Sequence, residues 1–277
     1  MKPIYITDLD HTFLRSDQSI SDFSVDIWNN KTQNATLSIA TARSYQQSMK
    51  FLERLKLDAP LVLLDGTMVV TADKKLIDIK IINKELGDAI VDIGLKFDID
   101  PFIIGIEDMN LNEKFLYPRR LNKHQKFVLK GYKNDPRMHF NPQNKTMDLN
   151  LKIVYFGDEN TLLPLSIEIK RVFGNSVEVK LSPEKYSNGY FLTLLHPKGD
   201  KSHAIEKVME YLNTDTSNLT VFGDSINDIS MFKLANKAVA VSNALDEVKA
   251  VADVVLDYSN DEDGVCRYLN KEINESK

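Results

Sequence analysis

Apolar runs of three to five residues, each bounded by polar positions, recur at both ends of this chain. They are Ile4–Ile6, "TLSIAT" (36–41), "LVLL" (61–64), "LTVFG" (219–223), "AVAV" (238–241) and "DVVL" (253–256). Their length and β-branched content predict buried strands. Between them the period lengthens. In "SHAIEKVMEYL", Ile205, Val208, Met209 and Leu212 form one apolar stripe of a helix. In "RSYQQSMKFLERL", Ser44 and Gln47 stand at the spacing of a helix-starting capping box. Strands alternating with helices predict an α/β fold with a doubly wound parallel sheet, covered on both faces. The middle of the chain breaks this rhythm, with mixed periods and turn signals such as "YKNDPRMHFNPQNK". Residues 83–194 are therefore expected to form an α+β domain inserted into a core made of 1–82 and 195–277.

The strand ends carry polar residues that an apolar core does not need. Asp8 and Asp10 follow the first strand, and Thr41, Ala42 and Arg43 follow "LSIA". Asp224, Asn227 and Asp228 follow "LTVFG", and Lys201 opens the Ile205 helix. In a parallel sheet, ligands bind beyond the carboxyl ends of the strands, so these groups should converge on one edge. Carboxylates this close repel each other and cost several kcal/mol each to desolvate, roughly. A hard divalent cation would offset that cost, and oxygen-only donors favour magnesium over zinc. Helix N-termini and a lysine suit a phosphoryl group.

Composition removes competing classes. The 277 residues carry a net charge of −5, which gives no overall nucleic-acid footprint. No apolar run approaches the roughly 20 residues of a membrane helix, and Asp8 and Asp10 interrupt what would be a signal peptide's apolar region. Cys266 is the only cysteine, so neither an intrachain disulfide nor a cysteine-rich metal site is possible. The expected location is the cytoplasm.

"DLDHT", "TAR", "KGDKSHAI" and "GDSIND", in this order, resemble the four motifs of the haloacid dehalogenase superfamily. The C-terminal run "AVAVSNALDEVKAVADVVLDYSNDEDGV" is similar to the tail of its Cof-type phosphatases. The resemblance implies a Rossmann-like core with an α+β cap, and a Mg2+-dependent phosphatase acting on a small phosphorylated metabolite such as a sugar phosphate. It implies Asp8 as the nucleophile that becomes an aspartyl-phosphate, and Asp10 as general acid and base. Asp8, Asp10 (through its carbonyl) and Asp224 would hold magnesium, with Asp228 beside the metal or behind it. Thr41, the Ala42 amide, Lys201 and Asn227 would hold phosphate oxygens, and Arg43 would face the site or simply pair with a surface acid. Three positions depart from the family pattern: His11 and Ala42 stand where Gly is usual, and Asp65 of "LLDGT" where Asn is usual.

Three other functions compete. An esterase reading of "GDS" would make Ser225 a nucleophile, but no histidine follows His203 to serve as its base. A non-enzymatic phospho-acceptor also gathers paired acids, a Thr and a Lys, in a much shorter chain. A phosphomutase shares the aspartyl chemistry and differs in returning the phosphate to a sugar. Two further segments are candidates for substrate choice. One is the acid-free basic run of Arg119, Arg120, Lys123, Lys126, Lys130 and Lys133, read first as solvated surface. The other is "SPEKYSNGYF", 182–191.

Overall fold

A computed structural model of the chain describes residues 2–184 and 188–275. Residues 185–187, within the second candidate segment, lie outside the described residues. The first part of the chain runs β1 (Ile4–Thr7), α1 (Asp22–Lys31), β2 (Thr36–Ile39), α2 (Tyr45–Leu52), β3 (Leu61–Leu63), β4 (Met68–Val70) and β5 (Leu76–Ile79). The middle adds α3 (Lys84–Lys96), β6 (Phe102–Ile106), β7 (Glu113–Pro118), α4 (Lys123–Gly131), β8 (Met138–Asn141), β9 (Asn150–Gly157), α5 (Glu159–Phe173), β10 (Glu178–Glu184) and β11 (Gly189–Leu195). The chain then returns through α6 (Lys201–Tyr211), β12 (Leu219–Gly223), α7 (Ile229–Leu234), β13 (Lys237–Ala240), α8 (Asp246–Lys249), β14 (Val254–Val255) and α9 (Gly264–Glu275).

Two compact units result, one of Met1–Ile79 with Asp200–Lys277 and one of Lys80–Gly199. The first holds a parallel five-stranded sheet in the order β14-β13-β12-β1-β2. β1 is buried throughout its length, and the paired β12 almost so, which is why both read as unbroken apolar runs. A parallel bridge between Ala40 and Val62 links β2 to β3, which opens the antiparallel β3-β4-β5. Thr7 stands level with Phe222 on one side and Ile39 on the other. The register therefore places Asp8, Asp224 and Thr41, which follow these residues, at one edge of the sheet.

The second unit has a six-stranded sheet, β10-β11-β9-β6-β7-β8. α3 and α5 bury one face through Ile90, Ile93, Leu162, Leu165 and Ile169. Among the described residues no helix is long and apolar enough to cross a membrane.

Candidate active site

Each acid is fixed by backbone before any side chain acts. The Asp8 amide donates to the Phe222 carbonyl at 2.8 Å, so β12 sets where the first carboxylate stands. The loop then turns sharply at His11, whose φ of 58° is left-handed. That conformation explains why glycine is usual there, and histidine is among the residues that tolerate it. The Asn243 side chain donates to the His11 carbonyl at 2.8 Å and accepts from the Asn260 amide at 2.9 Å. The C-terminal run that resembles the Cof-type tail thus holds the first motif in place. Thr12 Oγ1 donates to Asp224 Oδ1 at 3.1 Å, aiming the second carboxylate.

Lys201 is the electrostatic centre. Its Nζ, wholly buried, lies 2.5 Å from Asp8 Oδ1 and 2.6 Å from Asp228 Oδ1. Burial alone would lower its pKa, but Asp228 and Asp8 more than reverse this and hold it firmly charged. Asp8 is pushed the other way. Burial, with Asp228, Asp224 and Asp10 nearby, raises its carboxyl well above the ordinary range against the pull of Lys201. Asp228 Oδ2 accepts from the Asp224 and Ser225 amides, both at 2.9 Å. With Lys201 on its other oxygen, Asp228 braces the loop and the lysine from behind. A Cβ on Gly223 would come within 2.6 Å of that side chain, so glycine is required where the strand passes so close.

Asp200 caps α6, accepting from the Ser202 amide at 2.8 Å, the His203 amide at 3.2 Å and His203 Nδ1 at 2.7 Å. This fixes the first residue of the helix, which is Lys201. Hydrogen bonds from Ser202 and His203 outweigh burial and hold the Asp200 carboxyl below its usual range.

On the second strand, buried Thr41 accepts from the Arg43 amide at 3.1 Å, and Ala42 is exposed. Arg43 grips Asp10 with both arms, Nη2 to Oδ1 at 2.5 Å and Nε to Oδ2 at 2.7 Å, and stacks over Phe51 at 4.4 Å. The acid that Arg43 pairs with is no unrelated surface acid but Asp10, a candidate site residue.

Sequence reasoning assigned no role to the turn Leu64–Gly66, which ties three motifs together. Its residues are left-handed in succession, with φ of 52°, 65° and 115°. Leu64 and Asp65 donate to the Arg43 and Thr41 carbonyls, each at 3.0 Å. Asp65 Oδ1 accepts from Asn227 Nδ2 at 3.1 Å, and a Cβ on Gly66 would stand 2.1 Å from the Asp200 carbonyl oxygen. The "DG" pair was the available signal, because it marks backbone at positive φ. Thr12, Asn243 and Asp200 were also missed as site residues, since each acts through another group.

Asp8, Asp224 and Asp228 offer carboxylate oxygens within 4.8 Å of one another. This buried, all-oxygen set outnumbers its one lysine three to one and fits a hard divalent cation. The Asp10 side chain is turned to Arg43.

In the second unit, Arg120 bonds Asp100 at 2.7 and 2.9 Å and also pairs with Asp98, and Lys123 lies 3.0 Å from Asp158. Two members of the basic run, Arg120 and Lys123, are thus engaged by acids from outside it.

The sequence profile of the haloacid dehalogenase-like hydrolases matches residues 5–269. The chain belongs to this family. It is 26% identical to a 5-amino-6-(5-phospho-D-ribitylamino)uracil phosphatase of Bacillus subtilis, over 98% of each chain. It is 25% identical to a putative phosphatase of Buchnera aphidicola, over 98% of this chain and 96% of that one. A haloacid dehalogenase-like hydrolase from Bacteroides thetaiotaomicron superposes with a TM-score of 0.79 at 20% identity, covering 98% of this chain and 100% of that one. This family member is an enzyme, a phosphoric monoester hydrolase.

Proposed function

We propose that the chain hydrolyses a small phosphorylated metabolite, a sugar phosphate or a phosphorylated polyol, in the cytoplasm through an aspartyl-phosphate on Asp8. The observation that carries this reading is the buried Asp8 carboxylate, with Lys201 on one oxygen and Asp224 beside it. Asp8 attacks phosphorus, and the bond from phosphorus to the ester oxygen breaks. Asp10 gives that oxygen its proton, and the alcohol leaves. Asp10 then takes a proton from water, which attacks the acyl phosphate, frees inorganic phosphate and regenerates Asp8. Arg43 fixes the direction of the Asp10 side chain when it is ionised. Lys201, the Thr41 hydroxyl, the Ala42 amide and Asn227 hold the phosphate oxygens, where their charge and dipoles oppose the charge that develops. Asp65 keeps the Asn227 amide turned to this task.

The Asp8 and Asp224 carboxylates, with the Asp10 carbonyl, would hold magnesium, with Asp228 behind them. When bound, the ion supplies positive charge against the carboxylates and the phosphate. The inserted unit acts as the cap that selects the substrate.

A phosphate-release screen over phosphorylated metabolites with magnesium tests this reading, with the ribitylaminouracil phosphate of the Bacillus relatives included and Asp8→Asn alongside. Magnesium-dependent release that Asp8→Asn abolishes is expected. No release from any member, or transfer of the phosphate to a second sugar position without release, would overturn it.

A further inference from the structure

The loop that carries Asp10 runs from Leu9 to Leu14 and is closed where the Leu14 amide donates to the Leu9 carbonyl at 2.8 Å. Asp10 itself has ordinary extended angles, φ −74° and ψ 130°, and the bend falls on His11, at φ 58° and ψ 6°. A residue with a Cβ is strained in that conformation. Rotation about the His11 N–Cα bond turns the peptide shared with Asp10 against the peptide shared with Thr12. Thr12 is anchored on Asp224 through its hydroxyl. A relaxing His11 would therefore swing Asp10.

The segment that returns after β13 opposes this. The Asn243 side chain donates to the His11 carbonyl at 2.8 Å and accepts from the Asn260 amide at 2.9 Å. Buried Asn260 donates in turn to the Leu14 carbonyl at 2.9 Å. Farther along, Asp263 takes Nε and Nη2 of Arg15 at 3.2 and 2.6 Å, and Asp261 accepts from the Ser16 amide at 2.7 Å. These outer contacts secure the chain beyond the loop. Among them, only Asn243 reaches the strained residue. Arg43 holds the far end of the Asp10 side chain, and Asn243 holds the backbone beside its root.

We propose that Asn243 is a positioning residue for proton transfer. By holding the His11 carbonyl it keeps the turn from relaxing and the Asp10 carboxyl aimed at the ester oxygen. The inference rests on the phosphatase reading.

Proton donation matters most when the leaving alcohol is a strong base. Phenyl phosphate and para-nitrophenyl phosphate, which differ in this respect, are the probes, with magnesium at saturation. The measure is kcat/KM, which covers the steps up to release of the alcohol. Asn243→Ala should lower it for phenyl phosphate by roughly ten- to a hundredfold, the scale of a misaimed catalytic group. The loss on para-nitrophenyl phosphate should be much smaller. Asn243→Asp can still accept from the Asn260 amide but cannot donate to His11, so it should show the same contrast even where Asn243→Ala fails to fold. Adding His11→Gly to either variant should restore most of the lost rate, because glycine adopts φ near 58° without strain. Equal losses on both esters, no loss on either, or a loss that His11→Gly leaves unchanged would overturn the positioning role with the phosphatase reading intact. A wild-type protein that releases phosphate from no ester would overturn both.

Discussion

Asp8 and Asp10 are two residues apart in sequence and occupy opposite electrostatic settings. Asp8 is buried against Lys201, and its carboxyl is pushed up by burial and neighbouring acids. Asp10 is partly exposed and held in a two-armed pair by Arg43. It is the positions of the two acids, and not their titration, that fit the proposed division of labour: Asp8 stands beside Lys201 and Asp224, and Asp10 is held apart from them by Arg43. Asp8→Asn keeps the shape but removes the attacking oxygen, so kcat should fall by on the order of 10⁴-fold or more. Asp10→Asn should lose the smaller factor typical of general acid–base catalysis, roughly 10²–10⁴. Single-turnover rates on one phosphate monoester measure both, and either variant within a few-fold of wild type would remove its residue from the mechanism. Arg43→Gln tests positioning. It should lower kcat more than it raises KM, because Asp10 would keep its chemistry and lose its aim.

At the scale of elements, site and stability are joined at turns instead of strands. Gly66 sits at φ 115° with the Asp200 carbonyl oxygen 2.1 Å from where a Cβ would be. Gly66→Ala must therefore shift either the turn or the start of α6, and with it Lys201. A loss of about 3 kcal/mol or more is expected from such a backbone clash, read as a urea midpoint, together with a fall in kcat. The conservative Asp65→Asn should keep the bond with Asn227 through its amide oxygen and hold near wild-type rates. Asp263 provides the pH case. Burial would raise its carboxyl, but hydrogen bonds from Arg15, Ser21 and Ser24 outweigh this and lower it. An acid with a lowered folded pKa stabilises the fold above its ordinary titration near pH 4, and loses that contribution as pH falls through the folded value. Asp263→Asn should thus cost roughly 1–3 kcal/mol at pH 7, with the gap to wild type narrowing below about pH 4. A gap that stayed constant with pH would assign the loss to packing.

Across the whole molecule, legibility followed burial. β1, β2, β12 and β13 were readable because they are largely buried apolar runs, and the residues at their ends could be placed from strand direction alone; β14, expected to be buried, is the half-exposed edge of the sheet, with Val255 open to solvent. β5 is half-buried along its length, and β8 is half-buried or exposed, so neither offered a clear alternation to read. The Arg43 pairing with Asp10 and the Asn243 brace on His11 join residues 33 and 232 apart, and no local pattern encodes them. The same long-range assembly governs how a metal should act. Asp8 comes from the first strand, whereas Asp224 and Asp228 come from the returning segment. Their mutual repulsion is only partly offset by Lys201. A cation bound among them would tie the two ends of the chain together and favour the folded state by mass action, by about 2.7 kcal/mol at a hundred times its dissociation constant. For a protein of this size that corresponds to a rise in Tm of several degrees. Magnesium added to chelator-treated protein should produce that rise along with activity. Calcium should restore little activity, since its longer, looser coordination suits a different cavity. Asp224→Asn should remove most of the magnesium-induced shift while leaving a folded protein. A Tm that does not respond to magnesium, or an equal response in Asp224→Asn, would place the ion elsewhere than between the two ends of the chain.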